Sequence, residues 1–392
     1  MTRFRPKDAR ELAELVAGAG AKGEALEVIA GGTKRSLGRP VETPHQLDVT
    51  AFAGIRSYEP EELVLTAGPA TPMAEIARTL AAAQQVLPFE PGDWGPVYGA
   101  PAGRQTLGGV LVCNIAGPRR PRQGSARDHL LGFHAVSGRG EVFKSGGRVI
   151  KNVTGYDLSK LMCGSFGTLA VLTEVTVKVL PAPEATRTLV LRGLDDARAV
   201  QAMTRALNGA QDVSGAAHLP AEFGARTLLR LEGPAPSVEA RAEALRRELT
   251  EFAVAEVLSD AAAMAPWRDL ADLNAFAAEP SRALWRVSVA PQAGPAIAAA
   301  ARKLEGRYLY DWGGGLLWIA VADARDSGAA VLRGALGEAG GHATLIRASE
   351  SQRAEIPIFE PQPPALAALG QRVKESFDPA RILNPGRMYR EL

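Results

Sequence analysis

The spacing of apolar residues in the first 180 positions predicts a mixture of helices and short strands. Apolar side chains at helical intervals indicate amphipathic helices over residues 6–18 and 72–83. Apolar or β-branched runs bounded by Gly, Pro or acidic residues indicate strands. These predicted strands cover residues 26–30, 47–52, 55–59, 63–67, 130–136, 141–143 and 171–180. Several of them lie next to Gly-rich segments, which directs attention to those segments as candidate sites.

The pattern becomes more regular after Pro181-Ala182-Pro183, where the Gly-rich segments stop. Further strands are predicted over residues 186–191, 213–219, 226–231, 283–289, 307–310, 316–321 and 343–346. Helices are predicted over residues 195–207, 237–249, 296–304 and 327–336, with an Ala-rich helical link over 259–281. The order strand–helix–strand, strand–helix–strand is that of a ferredoxin-like unit, and in this chain it occurs twice.

The C-terminal segment has its own pattern. A helix predicted over 365–376 is followed by Asp378-Pro379 and by Asn384-Pro385-Gly386, which enforce turns. The fold class is therefore α+β. We expect a first domain over 1–181, a ferredoxin-like cap domain over 182–362, and a helix and tail over 363–392 that fold back on the first domain.

The composition narrows the possible partners. The 392 residues are 46% hydrophobic and 22% charged, an ordinary globular balance. Lys plus Arg (45) nearly equals Asp plus Glu (43), and a net charge of +2 favours neither nucleic acid nor a membrane surface. The charged N-terminus lacks an apolar signal segment, and no window approaches the ~18 apolar residues of a membrane span. We expect a cytoplasmic protein that meets a membrane only through partners.

The residue types that commonly bind metals are sparse. Cys113 and Cys163 are too few for a disulfide framework, a zinc site or an iron–sulfur cluster, and both are expected to be buried free thiols. The histidines show no spacing typical of metal ligands. They are His45, His129, His134, His218 and His342. No metal site is therefore predicted.

The first candidate site follows the strand predicted over 26–30. It reads Gly31-Gly32-Thr33-Lys34-Arg35, and two glycines followed by Thr and Lys can turn backbone N–H groups towards an anion. An ordinary Gly turn with a solvated Lys34–Arg35 pair fits the same residues. The segment is not a P-loop, because the Gly-Lys-Ser/Thr ending is missing.

The second candidate site is Thr106-Leu107-Gly108-Gly109, which leads into the apolar run 110–113. The Gly pair permits close approach of the backbone to a ligand, and the Thr106 hydroxyl can donate a hydrogen bond. The basic segment 119–122 lacks the interleaved aromatic residues of a nucleic-acid patch. A solvated loop, a ridge facing a partner and a contact to a cofactor phosphate all stay open for it.

The third candidate site lies within residues 147–180. A polar segment from Lys151 to Asp157 is followed by a small-residue turn over 164–168 and by the strand predicted from Val171. Glycines, a paired amide and carboxylate, and a strand are concentrated here as nowhere else in the chain. Our hypothesis is that this segment closes a flavin-binding pocket.

Taken in order, these segments resemble the vanillyl-alcohol-oxidase/PCMH superfamily of FAD proteins and, within it, the FAD-binding E subunits of bacterial glycolate oxidases. The residues that carry the resemblance are Gly31-Gly32-Thr33-Lys34, Thr106-Leu107-Gly108-Gly109, Gly117-Pro118-Arg119-Arg120, Gly124-Ser125-Ala126-Arg127-Asp128, Lys151-Asn152-Val153-Thr154-Gly155-Tyr156-Asp157-Leu158, Gly164-Ser165-Phe166-Gly167-Thr168 and Leu383-Asn384-Pro385-Gly386. The likeness is dense over the first 180 residues and the tail. Across the cap it is a match of pattern only.

The resemblance implies a two-part PCMH-type FAD-binding domain in which the first two loops bind the pyrophosphate. The residues it assigns to the cofactor are Gly31, Gly32, Thr33, Lys34, Arg35, Thr106, Leu107, Gly108, Gly109, Asn114, Gly117, Ser125, Arg127, Asp128, Lys151, Asn152, Tyr156, Asp157, Gly164, Gly167, Thr168, Val171 and Asn384. Members that bind FAD covalently use a His in or near these loops. Since the first loop here has Thr33 and Lys34, the resemblance implies non-covalent FAD.

The resemblance is incomplete for the residues that would bind and oxidise the substrate. Related catalytic subunits and D-lactate dehydrogenases carry a His-x-Gly-Asp-Gly-Asn element in the cap. Here the corresponding turn is Trp312-Gly313-Gly314-Gly315, and Asp311 before it has no evident partner. Oxidation of a 2-hydroxy acid needs a poised base near the flavin. Tyr156, Asp157 and Arg230 are the candidates, but each suits a structural role better, so no catalytic residue is predicted.

Three functions follow. The first is an FAD-binding subunit of a multisubunit glycolate (2-hydroxyacid) oxidase, with a catalytic FAD subunit and an iron–sulfur subunit as partners. The second is a self-sufficient FAD-dependent 2-hydroxyacid dehydrogenase. The third is a scaffold that does not use the flavin, which the retained Gly-rich segments disfavour because Gly costs backbone entropy.

Overall fold

The computed structural model describes residues 2–148, 155–322, 325–337 and 340–392. The elements up to residue 182 are β1 (Thr2–Phe4), α1 (Ala9–Lys22), β2 (Glu27–Ile29), β3 (His45–Asp48), β4 (Ile55–Glu59), β5 (Val64–Ala67), α2 (Met73–Ala82), β6 (Gln85–Val86), α3 (Leu107–Val112), α4 (Arg120–Gln123), α5 (Ala126–His129), β7 (Leu130–Ser137), β8 (Val142–Gly146), α6 (Leu158–Met162), β9 (Ala170–Lys178) and β10 (Leu180–Pro181).

The remaining elements follow the order expected from the sequence. They are β11 (Ala185–Arg192), α7 (Asp196–Asn208), β12 (Gly215–Leu219), β13 (Arg226–Gly233), α8 (Ala235–Glu248), β14 (Glu256–Ser259), α9 (Asp260–Ala271), α10 (Asn274–Ala277), β15 (Ala283–Ser288), α11 (Gly294–Arg302), β16 (Arg307–Asp311), β17 (Leu316–Val321), α12 (Ala329–Leu336), β18 (His342–Arg347), α13 (Glu350–Glu355) and α14 (Pro364–Phe377).

Each predicted helix and strand overlaps an element of the same type, and two differences have local causes. The strand predicted over 47–52 ends early, because the Asp48 carboxylate accepts a hydrogen bond from the Thr50 N–H (2.9 Å) and turns the chain. The segment from Leu107 forms α3, which periodicity did not predict. Thr106 is its N-cap and accepts from the Gly109 N–H at 3.4 Å.

The chain divides into two compact units. The first unit contains Met1–Ile115, Gly124–Ala182 and Pro361–Leu392. The second unit contains Ala116–Gln123 and Pro183–Glu360. The basic segment 119–122 thus packs with the second unit, although its position in the sequence is inside the expected first domain.

The first unit is built on a parallel sheet and an antiparallel sheet. The parallel sheet has the order β1-β3-β2, and the antiparallel sheet has the order β4-β5-β9-β7-β8. Leu12 and Val16 of α1 form a buried cluster with Leu47 and with Val171 of β9. Leu383 of the tail joins the same cluster and pairs with Leu26 in a parallel bridge. The tail therefore completes the core of this unit.

A buried ion pair fixes the tail. The Lys374 ammonium donates to the Asp378 carboxylate at 2.8 Å, to the Thr168 carbonyl at 2.7 Å and to the Leu383 carbonyl at 3.1 Å. Asp378 also accepts the backbone N–H groups of Ile382 and Leu383. All the charged groups here are hydrogen-bonded, as a buried pair requires.

The second unit is an eight-stranded antiparallel sheet with the order β14-β11-β13-β12-β16-β17-β15-β18. One face packs against α7, α8, α11 and α12. On β15 this core face carries Trp285 and Val287. Because side chains alternate along a strand, Arg286 lies on the opposite face.

Candidate functional site

A pocket that opens to solvent lies in the first unit, between four segments. The first loop supplies residues 31–35, and α3 supplies the second wall with Thr106, Gly108 and Gly109. The third wall is the turn before β9 with the start of that strand, including Gly167 and Val171. The tail closes it with Asn384 and Arg387. Segments far apart in the chain thus meet at one cavity.

The first loop is shaped by contacts with the protein itself. A Cβ at Gly31 would lie 2.1 Å from the Arg104 carbonyl oxygen, so no side chain fits there. Gly32 has φ +72°, a conformation that favours glycine, and a Cβ there would meet nothing within 4 Å. The glycine pair therefore lets the loop pack closely on one side while its other side stays open to the pocket.

Lys34 points into this space and is buried. Its side chain is only 7% exposed in relative terms, and its ammonium is 3.5 Å from the Thr33 hydroxyl. Among the described residues, no carboxylate lies within 4.0 Å of this ammonium. Burial lowers the pKa of Lys34 to about 8, against the weaker opposing charges of Cys113 and Asp93. The solvated-pair interpretation of this loop is wrong for Lys34.

Arg35 has a different role from its neighbour. Its guanidinium makes two hydrogen bonds with the buried Glu27 carboxylate, at 2.8 and 2.7 Å, and remains half-exposed. Burial tends to raise the pKa of Glu27, but Arg35 and Gln46 overcome it and lower that pKa. Arg35 is therefore neutralised within the protein, whereas Lys34 is not.

Arg387 is a second buried cation at the pocket. It is 6% exposed, and its guanidinium donates to the Lys34 carbonyl at 2.6 Å. Its Nε makes no hydrogen bond with any described residue. Burial lowers the pKa of Arg387, although Cys113 and Glu27 oppose that shift. A pocket that contains an orphaned buried donor and a second unneutralised cation is one that an anionic group would satisfy.

Asn384 joins the walls of the pocket. Its side-chain amide donates to the carbonyls of Phe166 (2.9 Å) and Gly167 (3.3 Å), and its carbonyl oxygen accepts from the Val28 N–H (2.9 Å). Asn384 itself adopts φ +41°. Its hydrogen-bonding groups thus tie the tail to β2, which leads into the first loop, and to the third wall.

The two glycines of α3 have separate functions. A Cβ at Gly108 would lie 2.6 Å from the Pro69 Cβ, so the close approach expected there is to the protein's own backbone. A Cβ at Gly109 would meet only the Thr106 hydroxyl at 3.3 Å and the Lys34 ammonium at 3.8 Å. It would project into the pocket. Gly109 is therefore the glycine that keeps the pocket free for a ligand.

The pocket brings together about half of the residues that the sequence resemblance assigned. They are Gly31, Gly32, Thr33, Lys34, Arg35, Thr106, Gly108, Gly109, Gly167, Val171 and Asn384. The pocket is also lined by residues that were not assigned to the cofactor, among them Arg387, Cys113 and Phe166. The signal for Arg387 was its place directly after Asn384-Pro385-Gly386.

Other assigned residues lie away from these walls and are hydrogen-bonded locally. Ser125 and Asp128 form a capping box on α5. Asn114 accepts the N–H of Arg127, whose guanidinium donates to the Lys160 carbonyl. Their assignment to the cofactor stays a prediction.

The remaining assigned residues also lie off the pocket lining or outside the described residues. Asp157 caps α6 and pairs with Lys160 at 3.0 Å, and the Thr168 hydroxyl donates to the Ser165 carbonyl. Leu107 is fully buried and Tyr156 is 91% exposed. Away from the pocket lining are also Gly164 and Gly117, and Lys151 and Asn152 lie outside the described residues.

Both cysteines are free thiols, but only Cys163 is buried. The expectation of two buried thiols is wrong for Cys113, which is half-buried because it lines the pocket. Across residues 2–148, 155–322, 325–337 and 340–392, no group of three or more His, Cys, Asp or Glu side chains is arranged to hold a metal. In the same ranges, no helix is long and apolar enough to cross a bilayer.

The chain resembles known FAD proteins in both sequence and fold. Residues 3–146 match the model of the FAD binding domain family, and these residues supply two walls of the pocket. Over 99% of the chain, the fold is similar to 4-ethylphenol oxidase from Gulosibacter chungangensis (TM-score 0.73, 14% identity, 89% of that chain). It is also similar to p-cresol methylhydroxylase (TM-score 0.71, 15% identity, 88% of that chain). The protein is an FAD-dependent oxidoreductase of PCMH-type fold.

The particular family follows from a longer match. The chain is 37% identical to glycolate oxidase subunit GlcE of Escherichia coli (strain K12) over 94% of its own length and 93% of that protein. A shorter segment, 22% of the chain, is 41% identical to glycolate oxidase subunit GlcD of Bacillus subtilis (strain 168), covering 18% of that protein. The chain belongs to the GlcE family.

The pocket fits FAD on its own chemistry. Lys34 and Arg387 supply positive charge without a described carboxylate partner, as the pyrophosphate requires. Gly32 and Gly109 leave room beside them. The apolar side chains of Val171 and Phe166 line the other wall, where a flat aromatic ring system can pack.

Proposed function

We propose that this chain is the FAD-binding subunit of a multisubunit glycolate (2-hydroxyacid) oxidase. The observation that carries the proposal is the pair of buried cations, Lys34 and Arg387, in a pocket of a GlcE-family chain. Bound FAD would give this subunit a redox group, while the hydride from the hydroxy carbon would pass to the flavin of a sister catalytic subunit. The chain's own residues bind and orient this cofactor.

We propose that FAD is bound by the residues that line the pocket, and not by all the residues that the resemblance assigned to it. Lys34 and Arg387 would hold the pyrophosphate, with the backbone N–H of Gly32 beside it, and Gly109 would leave room for it. Asn384 would act indirectly, because its hydrogen bonds hold the tail against the other walls of the pocket. No histidine is among the described residues that line the pocket, which supports non-covalent FAD.

The electron path requires partners. Two cysteines cannot hold an iron–sulfur cluster, so an iron–sulfur subunit would take the electrons onward. A sister catalytic FAD subunit would carry out the oxidation of glycolate to glyoxylate. We propose a cytoplasmic complex that meets the membrane only through these partners.

We also propose that the second unit is a cap made of two ferredoxin-like units. The strand order supports this: β14-β11-β13-β12 and β18-β15-β17-β16 both run fourth, first, third, second. The cap would then lie in residues 182–362, flanked by an FAD domain over 1–181 and the tail over 363–392.

One experiment separates the candidate functions. The chain is purified alone and together with the products of neighbouring genes, and the visible spectrum is recorded before and after anaerobic addition of glycolate. We expect flavin in the isolated chain, slow or no bleaching alone, and rapid bleaching in the complex. Rapid bleaching of the isolated chain would instead establish a self-sufficient dehydrogenase. A folded chain without flavin would establish a scaffold.

A second measurement tests the mode of attachment. Acid precipitation should release the flavin into the supernatant, because we expect no covalent bond. Flavin that stays with the pellet would contradict that part of the proposal and leave the rest intact.

A further inference from the structure

A cluster of cationic and aromatic side chains lies on the second unit, apart from the residues of the flavin pocket. Its centre is the Trp312 ring. The guanidinium carbon of Arg120 is 4.3 Å from the ring centroid, and that of Arg286 is 5.0 Å from it. Two arginines on one indole ring hold their planar groups in fixed positions through cation–π contact.

The position of Trp312 is itself fixed by several contacts. Its indole N–H donates to the Gly117 carbonyl at 3.0 Å, and its backbone N–H donates to the Asp311 carboxylate at 2.7 Å. The residue adopts φ +52°, which is uncommon for a bulky side chain. The expectation that Asp311 lacks a partner is wrong, since this carboxylate holds the turn.

The backbone of that turn is equally constrained. Gly313 and Gly314 have φ +67° and +97°, and a Cβ at Gly313 would lie 2.2 Å from a Leu207 methyl group. A non-glycine residue held at positive φ by its surroundings is a form of strain that clusters at functional sites. The Trp312 turn therefore presents its ring in one orientation at the cost of backbone strain.

Arg120 belongs to the basic segment 119–122, and ion pairs of the neighbouring arginines hold this segment in place. Arg119 makes two hydrogen bonds with the Glu232 carboxylate, at 3.1 and 2.5 Å, and both side chains are nearly buried. Burial tends to raise the pKa of Glu232, but Arg230 and Arg119 lower it to about 2. Arg122 pairs with Asp212 at 2.5 Å. A solvated loop is thus the wrong interpretation of Arg119 and Arg120, whereas Arg122 remains exposed.

The second arginine is not neutralised within the described residues. The guanidinium of Arg286 makes no hydrogen bond or ion pair with any of them besides its contact with Trp312. Burial and, to a smaller extent, the charge of Arg120 lower its pKa to about 10, and only Asp311 opposes this shift. The group still carries its full charge at neutral pH.

Two further side chains share the face of the sheet that carries Arg286. Thr344 lies directly opposite Arg286 in the register of β15 and β18, and His342 lies opposite Ser288, two residues further along. The Thr344 hydroxyl makes no hydrogen bond with any other described residue. His342 lies at the exposed end of β18, where partial burial and the charge of Arg286 lower its pKa.

From this arrangement we infer that Arg286 and Thr344, with Arg120 and Trp312 beside them, form a binding site for a small carboxylate. A guanidinium binds a carboxylate through two parallel hydrogen bonds, and a stacked guanidinium is already oriented for them. Thr344 donates or accepts the additional hydrogen bond that a neighbouring hydroxyl or oxo group offers. The choice of a 2-hydroxy acid or its 2-oxo product as ligand rests on the proposed function.

The test is direct binding of glycolate to the purified full-length chain, measured by isothermal titration calorimetry. We expect saturable binding to the wild type and none of glycolamide, which has the same shape without the charge. Arg286→Gln should weaken glycolate binding about 10- to 100-fold, the range for a lost charged hydrogen bond. The glycolate affinity of Arg286→Lys should lie between those of the wild type and Arg286→Gln. Thr344→Val should weaken glycolate binding several-fold.

The matched control is Arg192→Gln on β11 of the same sheet, where Arg192 pairs with Glu256 at 2.8 Å. This variant should bind glycolate like the wild type. Unchanged affinity in Arg286→Gln, with wild-type melting temperature, would overturn the site. Displacement of glycolate by an equal concentration of sulfate would also overturn the site. If Arg286→Gln does not fold, Arg286→Lys and Thr344→Val decide the question.

Flavin content is recorded in the same samples and separates this inference from the proposed function. Glycolate binding by a chain that lacks flavin would refute the flavin subunit and leave the carboxylate site standing. A flavin-loaded chain without saturable glycolate binding would refute the carboxylate site alone.

Discussion

The guanidinium of Arg387 donates a 2.6 Å hydrogen bond to the backbone carbonyl of Lys34, across 353 positions of the chain. Both residues line the pocket, and both are buried. The contact also ties the tail to the first loop. A single tail residue therefore contributes both charge and geometry to the flavin site.

Replacement of Arg387 by Gln should reduce FAD affinity about 10- to 100-fold, because it removes a charge-assisted hydrogen bond and a buried positive charge. The measurement is the dissociation constant of FAD for the deflavinated chain. Arg372→Gln, an exposed position on α14, is the control and should leave the constant unchanged. Wild-type affinity in Arg387→Gln would remove this residue from the site.

Gly109→Ala and Gly108→Ala should have different effects. A methyl group at position 109 projects into the pocket, so FAD content should fall while the melting temperature stays near the wild type. A methyl group at position 108 meets Pro69, so the free energy of unfolding should fall by about 1–3 kcal/mol. Thermal unfolding of the deflavinated proteins and flavin content of the purified ones measure both. Equal loss of stability in the two variants would contradict the distinction.

FAD affinity should depend on pH through Lys34. In the free protein its pKa is about 8, and a bound pyrophosphate raises it, so binding takes up a proton near and above that pH. Affinity should therefore be constant below about pH 7 and fall as the pH rises through 8. Lys34→Met should bind more weakly and lose this dependence. A wild-type profile that is flat from pH 6 to about 9 would show that Lys34 does not contact the phosphates.

Lys374→Met should destabilise the first unit by about 3–5 kcal/mol, because it leaves the Asp378 carboxylate buried without its ion-pair partner. Chemical denaturation measures the loss. Lys144→Met, at an exposed position on β8, is the control and should change stability by less than about 0.5 kcal/mol. If both variants unfold at the same denaturant concentration, the tail does not stabilise this unit.

The sequence predicted the elements and the two loop motifs well, because both depend on local patterns. Gly31, Thr106 and Asn384 were found through motifs, and they line the pocket. The burial of Lys34 was not predictable, since a Lys–Arg pair after two glycines looks like an exposed turn. Arg35 is neutralised by Glu27, which lies on β2, the strand that precedes the first loop.

Errors arose where a residue's partner lies far away in the chain. Nothing near Arg119 in sequence indicates Glu232, and nothing near Gly108 indicates Pro69. Ser125 and Asp128 form a capping box three residues apart, so a local pattern could have shown their structural role.

The hydrogen bond between Asn384 and the Val28 N–H spans 356 positions, and it ties the C-terminal tail to the segment leading into the first loop. During synthesis on the ribosome, the residues up to Leu172 emerge long before the tail does. The pocket stays open on one side until the segment that contains Asn384 and Arg387 has been synthesised and has left the ribosome. Stable cofactor loading is thus postponed until that segment is available, and a chain truncated before Asn384 would be recognisable by its failure to retain flavin.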